Sequence, residues 1–453
     1  MQDRKYIPFT KEMKRDYKIL VPNMLPVHFK LIISVMRTYG FNMELLETTG
    51  KEIAETGLKY THNDTCYPAI LVIGQFIDAL QSGKYDPQKT ALIMFQTGGG
   101  CRASNYISLI RKALAKAGYG YIPVISFSLL GLENHPGFKL SIKMLKSMFY
   151  AAAYGDLMMS LANQTKPYEI TKGDTDRLCA EYTEKLGREL GGGKKSKYKD
   201  VLENCRKMVD DFAKIPLEKR EAVRVGIVGE IFVKYSPLAN NGLEDFLISE
   251  GAEPVVPGLL DFCLFFIYNE VAEFGLYRMK VLSHPVFKIA YKKLCDFKRD
   301  INNIIKEEGS FRPWTDFEDV VKIAKSVINT AVKMGEGWLL TAEMIELAES
   351  GCPNVVCTQP FGCLPNHICG KGMMKPIKEM LPGVNIVAID YDAGASRVNQ
   401  ENRLKLMLAN AKKESAEKTA DKAAEKPSSN IGKSDSEIGI CAENKPEKQG
   451  VNI

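Results

Sequence analysis

Apolar runs alternate with amphipathic stretches through the first third of the chain. Short apolar segments bounded by turn residues are typical of buried strands, whereas apolar residues at every third or fourth position are typical of helices. The pattern predicts strands over 17–24, 42–47, 90–95 and 121–128, and helices over 28–40, 68–83 and 104–118. Gly40 and Gly118 end the first and last of these helices. Such alternation predicts a mostly parallel sheet with helices on both faces.

Residues 140–222 carry no strand pattern. The methionine-rich stretch SIKMLKSMFYAAAYGDLMMSLANQ and the amphipathic stretch YKDVLENCRKMVDDFAKI both predict helices, with a flexible GGGKKSK segment (191–197) between them. A second alternating series then predicts strands over 223–230, 253–258, 354–359 and 385–390. Helices fill the long gap between the second and third of these strands. We therefore expect a helical subdomain between two α/β halves.

These patterns divide the 453 residues into four parts. We predict a first α/β domain at 1–139, a helical subdomain at 140–222, a second α/β domain at 223–410 and a tail at 411–453. The tail contains no Phe, Trp or Tyr, and charged residues are interleaved in it with Ala, Ser and Pro. Such a segment buries too little apolar surface to offset the entropy lost on ordering, so we expect it to be disordered.

Composition and charge exclude several classes of function. The net charge is +6, from 61 basic and 55 acidic residues, and this weak excess gives no case for nucleic acid binding. No uncharged run reaches transmembrane length, because the best candidate, from Gly258, contains Asp261 and Glu270. The N-terminus lacks the apolar core of a secretory signal. We expect a cytoplasmic protein with no membrane partner.

The chain has eleven cysteines, and disulfides are not expected without an export signal. Four lie in amphipathic, helix-like stretches and are expected to be core residues: Cys179, Cys205, Cys263 and Cys295. Three others lie in Gly-, Pro- or Asn-rich loops next to helix starts: Cys66 in YTHNDTCYPAI, Cys101 in FQTGGGCRAS and Cys363 in CTQPFGCLPNHICGKG. The last two follow predicted strands directly, and ligand sites in α/β sheets form beyond the carboxyl ends of strands.

These loops suit a metal–sulfide cluster. Thiolates bind iron–sulfur clusters, and helix N-termini supply N–H groups and partial positive charge that stabilise thiolates and sulfides. Gly99 and Gly100, beside Cys101, would let the backbone approach a bulky cluster without Cβ clashes. A structural role stays open, because the spacing of Cys66, Cys101 and Cys363 matches no compact cluster motif.

Other ligand classes fit the residues less well. A zinc site would need close pairs such as Cys-x-x-Cys, and the sequence has none. TGGGCRAS is not followed by Gly-Lys-Ser/Thr and lacks the G-x-G-x-x-G spacing, so it is not a known nucleotide-phosphate loop. Cys369 is an alternative ligand, and His367 either contacts substrate or caps a turn.

Several longer phrases occur together: DTCYPA, QTGGGCRASNY, RVGIVGEIFVKYSPLANNGLEDFL, GEGWLL, QPFGCLPNHICGKG and IDYDAGASRVNQENR. In this combination residues 15–410 resemble the 2-hydroxyacyl-CoA dehydratase (D-component) superfamily, and within it the activase-associated, double-cubane-like branch. The resemblance implies two flavodoxin-like, doubly wound parallel-sheet domains plus a helical subdomain. It also implies a 4Fe–4S cluster between these domains, ligated by Cys66, Cys101 and Cys363.

The resemblance further implies the chemistry and the partners. In the dehydratases a separate ATP-dependent activator injects one low-potential electron, which the cluster passes to the thioester carbonyl of a 2-hydroxyacyl-CoA so that the hydroxyl group is expelled. Alternatively, a bridged double-cubane cluster would reduce small molecules, or a non-catalytic component would relay an electron or scaffold an activase complex. The implied partners are the activator, a paired dehydratase subunit or second copy of the chain, and an acyl-CoA or other small substrate.

Glu230 is the candidate for proton transfer or substrate binding. It ends the predicted strand VRVGIVGE, at the edge of the sheet where ligand sites form. The alternative is that Glu230 caps the helix that follows, because acidic residues favour helix starts.

Overall fold

The computed structural model describes residues 6–97, 100–127, 133–192 and 197–424. The strands are β1 (Lys18–Val21), β2 (Met43–Leu45), β3 (Thr90–Phe95), β4 (Val124–Phe127), β5 (Arg224–Gly229), β6 (Glu253–Val255), β7 (Asn354–Pro360) and β8 (Asn385–Tyr391). They form two four-stranded sheets, of order β2-β1-β3-β4 and β6-β5-β7-β8, and all neighbouring strands are parallel. The α/β class with two parallel sheets, predicted from the apolar runs, is confirmed.

Helices surround the sheets. In the first half they are α1 (Met13–Asp16), α2 (Pro26–Thr38), α3 (Lys51–Tyr60), α4 (Tyr67–Gln81), α5 (Tyr106–Lys116), α6 (Ile142–Thr165), α7 (Asp174–Gly191) and α8 (Tyr198–Phe212). In the second half they are α9 (Ile231–Tyr235), α10 (Pro237–Asn240), α11 (Leu243–Ser249), α12 (Leu259–Tyr277), α13 (His284–Glu308), α14 (Phe317–Val327), α15 (Gly337–Glu349), α16 (Leu364–Cys369), α17 (Met374–Met380) and α18 (Arg397–Ala424). Short 3₁₀ helices span Pro87–Lys89, Arg102–Asn105 and Lys371–Met373.

Both faces of the first sheet are buried, because alternate residues of its strands enter different core clusters. Leu20 packs with Phe76 of α4, whereas its neighbour Ile19 packs with Ile33 of α2. Successive side chains of a strand point to opposite faces, so an apolar residue at every position requires helices on both sides. This explains why β3 and β4 are continuous apolar runs.

The second sheet is built in the same way. Ile227 of β5 packs with Leu408 of α18, and Val228 packs with Leu340 of α15 on the opposite face. The cluster that contains Ile227 also contains Leu92 of the first sheet. A continuous apolar core therefore connects the two sheets.

The region between the two series is helical, as its pattern predicts, and packs against α12 and α13 through Leu157, Met208 and Phe297. One buried carboxylate joins it to its surroundings. Asp156 of α6 accepts the N–H groups of Leu259 and Leu260, at 2.7 Å each, and its Oδ1 lies 2.8 Å from Nε2 of His28. Asp156 thereby links α2, α6 and the start of α12.

The described residues up to Ala411 form one compact unit, and those from Lys412 belong to a second. In the second unit the chain is helical as far as Ala424, past residue 411, where we expect disorder to begin. The rest of the predicted tail, 425–453, and part of the predicted flexible segment, 193–196, lie outside the described residues. Within the described ranges, no helix combines the length and apolar character needed to cross a membrane.

Candidate functional site

Each of the three loop cysteines stands immediately before a helix. Cys66 precedes α4, Cys101 follows the β3 strand and precedes the 3₁₀ helix that leads into α5, and Cys363 follows β7 and precedes α16. None of the three thiols makes a side-chain capping hydrogen bond. The backbone N–H groups of Ala69, Ala103 and Asn366 nevertheless act to lower the pKa of Cys66, Cys101 and Cys363, respectively. Three sulfur atoms therefore lie at the positive ends of helical turns, as the loop sequences predict.

Contacts from the 3₁₀ helix and α5 hold the Cys66 loop beside the Cys101 loop. The hydroxyl oxygen of Tyr106 lies 3.1 Å from Sγ of Cys66. Arg102, next to Cys101, donates from Nη1 to the carbonyl oxygen of Asp64 at 2.6 Å. These two contacts bring together cysteines that are 35 positions apart in sequence.

The segment 334–336 connects the Cys101 loop with the Cys363 loop. The N–H of Gly100 donates to Sδ of Met334 at 3.1 Å. At Gly335, where φ is +63°, an added Cβ would lie 3.2 Å from Cβ of Pro365, so the close approach favours glycine. The predicted backbone contact of Gly99 lies outside the described residues.

The buried carboxylate of Glu336 accepts hydrogen bonds from two other segments of the chain. Its Oε1 accepts the N–H of Ile231 at 3.0 Å, and its Oε2 accepts from Nδ2 of Asn366 at 3.2 Å. Nδ2 of Asn366 also donates a hydrogen bond to Sγ of Cys363 at 3.3 Å. Sequence reasoning missed Glu336 and Asn366, and the only local signal for Glu336 was an acid in a glycine turn before an apolar helix.

Glu230 caps the helix that follows it, which is one of the two roles that the sequence left open. Its carboxylate caps α9 by accepting the N–H of Val233 at 2.9 Å. It also lies beside the cysteines, and burial, followed by the charge of Glu336, raises its pKa to about 8. Burial raises the pKa of Glu336 as well. Desolvation and the neighbouring charge of Glu336 thus favour the protonated form of Glu230.

Burial disfavours the charged form of all three thiols. Burial raises the pKa of the Cys66 thiol, that of Cys101 to about 11 and that of Cys363 to about 12. The charge of Glu230 contributes to the increase at all three thiols, and Cys66 contributes to the increase at Cys101. The link between the three loops rests on the hydrogen bonds through Tyr106, Arg102, Gly100 and Asn366.

The arrangement differs from a site for a single metal ion. In the described part of the chain, no group of three or more His, Cys, Asp or Glu side chains could hold one ion. Zinc–sulfur bonds of about 2.3 Å would bring thiolates to within about 4 Å of each other. A four-iron cluster is a larger body whose cysteine ligands stand further apart.

Cys369 and His367, the two further candidates in the Cys363 loop, have structural roles. Cys369 is buried and packs in the same cluster as Cys357 of β7. Nδ1 of His367 lies 2.8 Å from the carbonyl oxygen of Cys363, which is the turn-capping position. Oδ1 of Asn366 is buried and has no hydrogen-bond partner among the described residues.

The large cavity at α2, β2 and α7, of about 1270 Å³, contains none of the three cysteines. Lys30, Arg37, Glu47 and Asp78 are among its lining residues.

Comparisons of the chain with protein-family models, with curated proteins and with solved structures found no match. The chemistry of the cysteine loops is therefore the basis for assigning a function.

Proposed function

We propose that this chain is an iron–sulfur protein of the 2-hydroxyacyl-CoA dehydratase superfamily, in which Cys66, Cys101 and Cys363 hold a 4Fe–4S cluster. One observation carries the proposal. Three thiols from three distant loops each begin a helical turn, and a chain of hydrogen bonds links the three loops. The order of each sheet equals the first four strands of the flavodoxin-like order, which supports two flavodoxin-like domains.

The donor set fits such a cluster. Thiolates are the ligands that iron–sulfur clusters use, and when bound the cluster supplies one-electron transfer at low potential. Because burial keeps the thiols protonated, metal binding would release their protons. The Nδ2 donor of Asn366 to Cys363 is of the kind that tunes a cluster, since hydrogen bonds to sulfur set its potential. Oδ1 of Asn366 remains available to accept a hydrogen bond from a ligand.

The number of thiols bears on the reaction. Three cysteines leave one iron of a cubane without a protein ligand, and this position suits a substrate or a bridging sulfide. The first would give 2-hydroxyacyl-CoA dehydration, and the second would give reduction of a small molecule at a bridged double cubane. Glu230, whose pKa is raised to about 8, would supply the proton that either reaction needs.

The surface around Cys363 supports a protein partner. Phe361, Leu364 and Ile368 are all exposed on this loop, and exposed apolar residues beside a redox site suit a transient partner. Because the sequence has no nucleotide-phosphate loop, we propose that the electron comes from a separate ATP-dependent activator. The same exposed apolar residues would contact the acyl part of a CoA substrate after the activator has dissociated.

The test is anaerobic purification followed by measurement of iron and acid-labile sulfide and by EPR of the reduced protein. About four irons per chain would indicate one cubane per chain, and more acid-labile sulfide than iron would indicate that two cubanes are bridged by a sulfide. Cys101→Ala and Cys363→Ala should each lose the cluster, whereas Cys369→Ala, a buried cysteine of the same loop, should retain it. Full iron content in Cys101→Ala, or no iron in the parent protein, would disprove the ligand assignment.

A second assay separates a catalyst from an electron relay. With activator, ATP and reductant supplied, a catalyst converts substrate over many turnovers, whereas a relay or scaffold component only becomes reduced. Reduction without turnover on any tested 2-hydroxyacyl-CoA would favour the non-catalytic alternative.

A further inference from the structure

The turn between α12 and α13 exposes a group of large apolar side chains. We call residues 276–289 the apolar tip. Seven of its large apolar side chains are exposed. Their relative accessibilities are 42% for Leu276, 52% for Tyr277, 57% for Met279, 60% for Val281, 95% for Leu282, 67% for Val286 and 59% for Ile289. Single exposed apolar residues are normal on proteins, but seven within fourteen positions mark an interaction surface.

The same two helices are well packed away from the tip. Leu264 and Phe265 of α12 and Cys295 of α13 share a buried cluster with Trp338. By contrast, a Cβ added at Gly275, next to the tip, would meet no atom within 4 Å. The hairpin is therefore anchored at one end and presents a convex apolar end to its surroundings.

The tip also lies in a stretch whose charged residues are all basic. From Leu276 to Cys295 the sequence contains five basic residues and no Asp or Glu. Lys280 pairs with Glu270 and Glu273 from outside this stretch. The remaining cations have no ion-pair partner among the described residues, and they are Arg278, Lys288, Lys292 and Lys293.

We propose that the apolar tip binds the surface of an anionic lipid bilayer. Aliphatic side chains at the end, with lysines behind them, are the composition of elements that lie in a membrane interface. A second copy of the chain would place four unpaired cations against four others, which opposes self-association through this face. A protein partner is also less well matched, because lysine is depleted and aromatic residues are enriched at protein interfaces.

The dimensions of the hairpin agree with this binding mode. α13 begins at His284, so at a rise of 1.5 Å per residue Lys288 lies about 6 Å along the helix and Lys292 about 12 Å. Interfacial elements insert about 5–10 Å into the boundary between headgroups and acyl chains. With Leu282 and Val286 inserted, the lysines would stand at the level of the lipid phosphates. This inference departs from the sequence-based expectation of no membrane partner, and it does not depend on the proposed cluster.

The experiment is sedimentation of the full chain with vesicles of phosphatidylcholine alone and of phosphatidylcholine mixed with phosphatidylglycerol. The parent protein should bind the mixed vesicles, and added salt should weaken that binding. Leu282→Ser/Val286→Ser should lower the partition coefficient about tenfold or more, since both side chains leave the acyl boundary. Lys288→Gln/Lys292→Gln/Lys293→Gln should lower it on the order of 100-fold, at about 1 kcal/mol per cation.

A matched control removes the same amount of exposed apolar surface elsewhere. Ile142→Ser/Ile170→Ser changes two exposed aliphatic residues of the helical region and should bind like the parent. Circular dichroism would verify that all variants are folded. Absence of parent binding, or equal binding by Leu282→Ser/Val286→Ser, would refute the proposal. So would light scattering that finds a multimer which Leu282→Ser/Val286→Ser converts to monomers, because the tip would then be a contact between copies.

Discussion

Replacing Asp156 with Ala tests how the helical region is held to the first sheet. Asp156 is 2% exposed, and its carboxylate accepts two backbone N–H groups of α12 and contacts Nε2 of His28. Alanine would leave the N–H groups of Leu259 and Leu260 and the imidazole of His28 buried without this acceptor. A hydrogen bond to a charged group contributes about 1.5–3 kcal/mol, so the loss of three should cost about 4.5–9 kcal/mol.

Asp156→Asn should be milder, because the amide retains one oxygen that can accept hydrogen bonds. We expect it to cost about half as much, roughly 2–4.5 kcal/mol. The assay is urea unfolding of the full chain followed by circular dichroism, with Asp210→Ala as the control. Asp210 is exposed on α8, so its removal should change the free energy of unfolding by no more than about 0.5 kcal/mol.

The expected loss is large against a total stability of about 5–15 kcal/mol. Asp156→Ala should therefore be partly unfolded in the absence of denaturant, with its unfolding midpoint strongly lowered. A loss below about 1 kcal/mol with an unchanged denaturant slope would refute the reasoning, because the N–H groups would have found other acceptors. The reasoning would also fail if Asp156→Asn were more destabilising than Asp156→Ala.

Three further predictions concern packing, pH and the proposed cluster. A Cβ at Gly74 would lie 1.9 Å from the carbonyl oxygen of Ile53, so Gly74→Ala should lower stability by about 3 kcal/mol or more, whereas Gly275→Ala should raise it by up to about 1 kcal/mol in thermal unfolding. Burial raises the pKa of Glu343 from 4.5 to about 7, so the folded state keeps a proton that the unfolded state releases. Stability should therefore fall by about 3 kcal/mol as pH rises from about 4.5 to 7, and Glu343→Gln should flatten this fall in denaturation at a series of pH values; an unchanged slope would contradict the assignment. Asn366→Ala should retain iron but lower the reduction potential in an EPR-monitored titration, and a raised potential would contradict the predicted role of its Nδ2 donor.

Most of the sheet architecture was predictable because parallel strands are buried on both faces. Continuous apolar runs such as 90–95 and 354–359 therefore appear directly in the sequence, and the structure has β3 and β7 there. The ends of the edge strands were predicted less accurately than those of the central strands. The predicted strand 253–258 pairs only over Glu253–Val255, because an edge strand has one neighbour and its ends are not held. The short helices α9, α10 and α11 each have too few residues to show the periodic apolar pattern by which a helix is recognised in a sequence.

The candidate site was predictable only as far as its loops were. Cys101 and Cys363 follow central strands, so their positions at the carboxyl edge of the sheets could be inferred from the sequence. Glu336 could not be inferred, because its hydrogen-bond partners Ile231 and Asn366 come from two other segments of the chain. Nothing in the local sequence of any one segment records those contacts.

The sequence by itself determined where the buried strands and the long helices lie and which cysteines stand at helix starts, because periodicity and capping act over a few neighbouring residues. Only the tertiary structure decided which contacts link the loops of Cys66, Cys101 and Cys363, and which sulfur Asn366 contacts. It also decided that the apolar residues near Leu282 remain exposed while similar residues elsewhere are buried. The physical reason is that convergence and burial depend on how separate elements pack, and packing is a property of the whole chain.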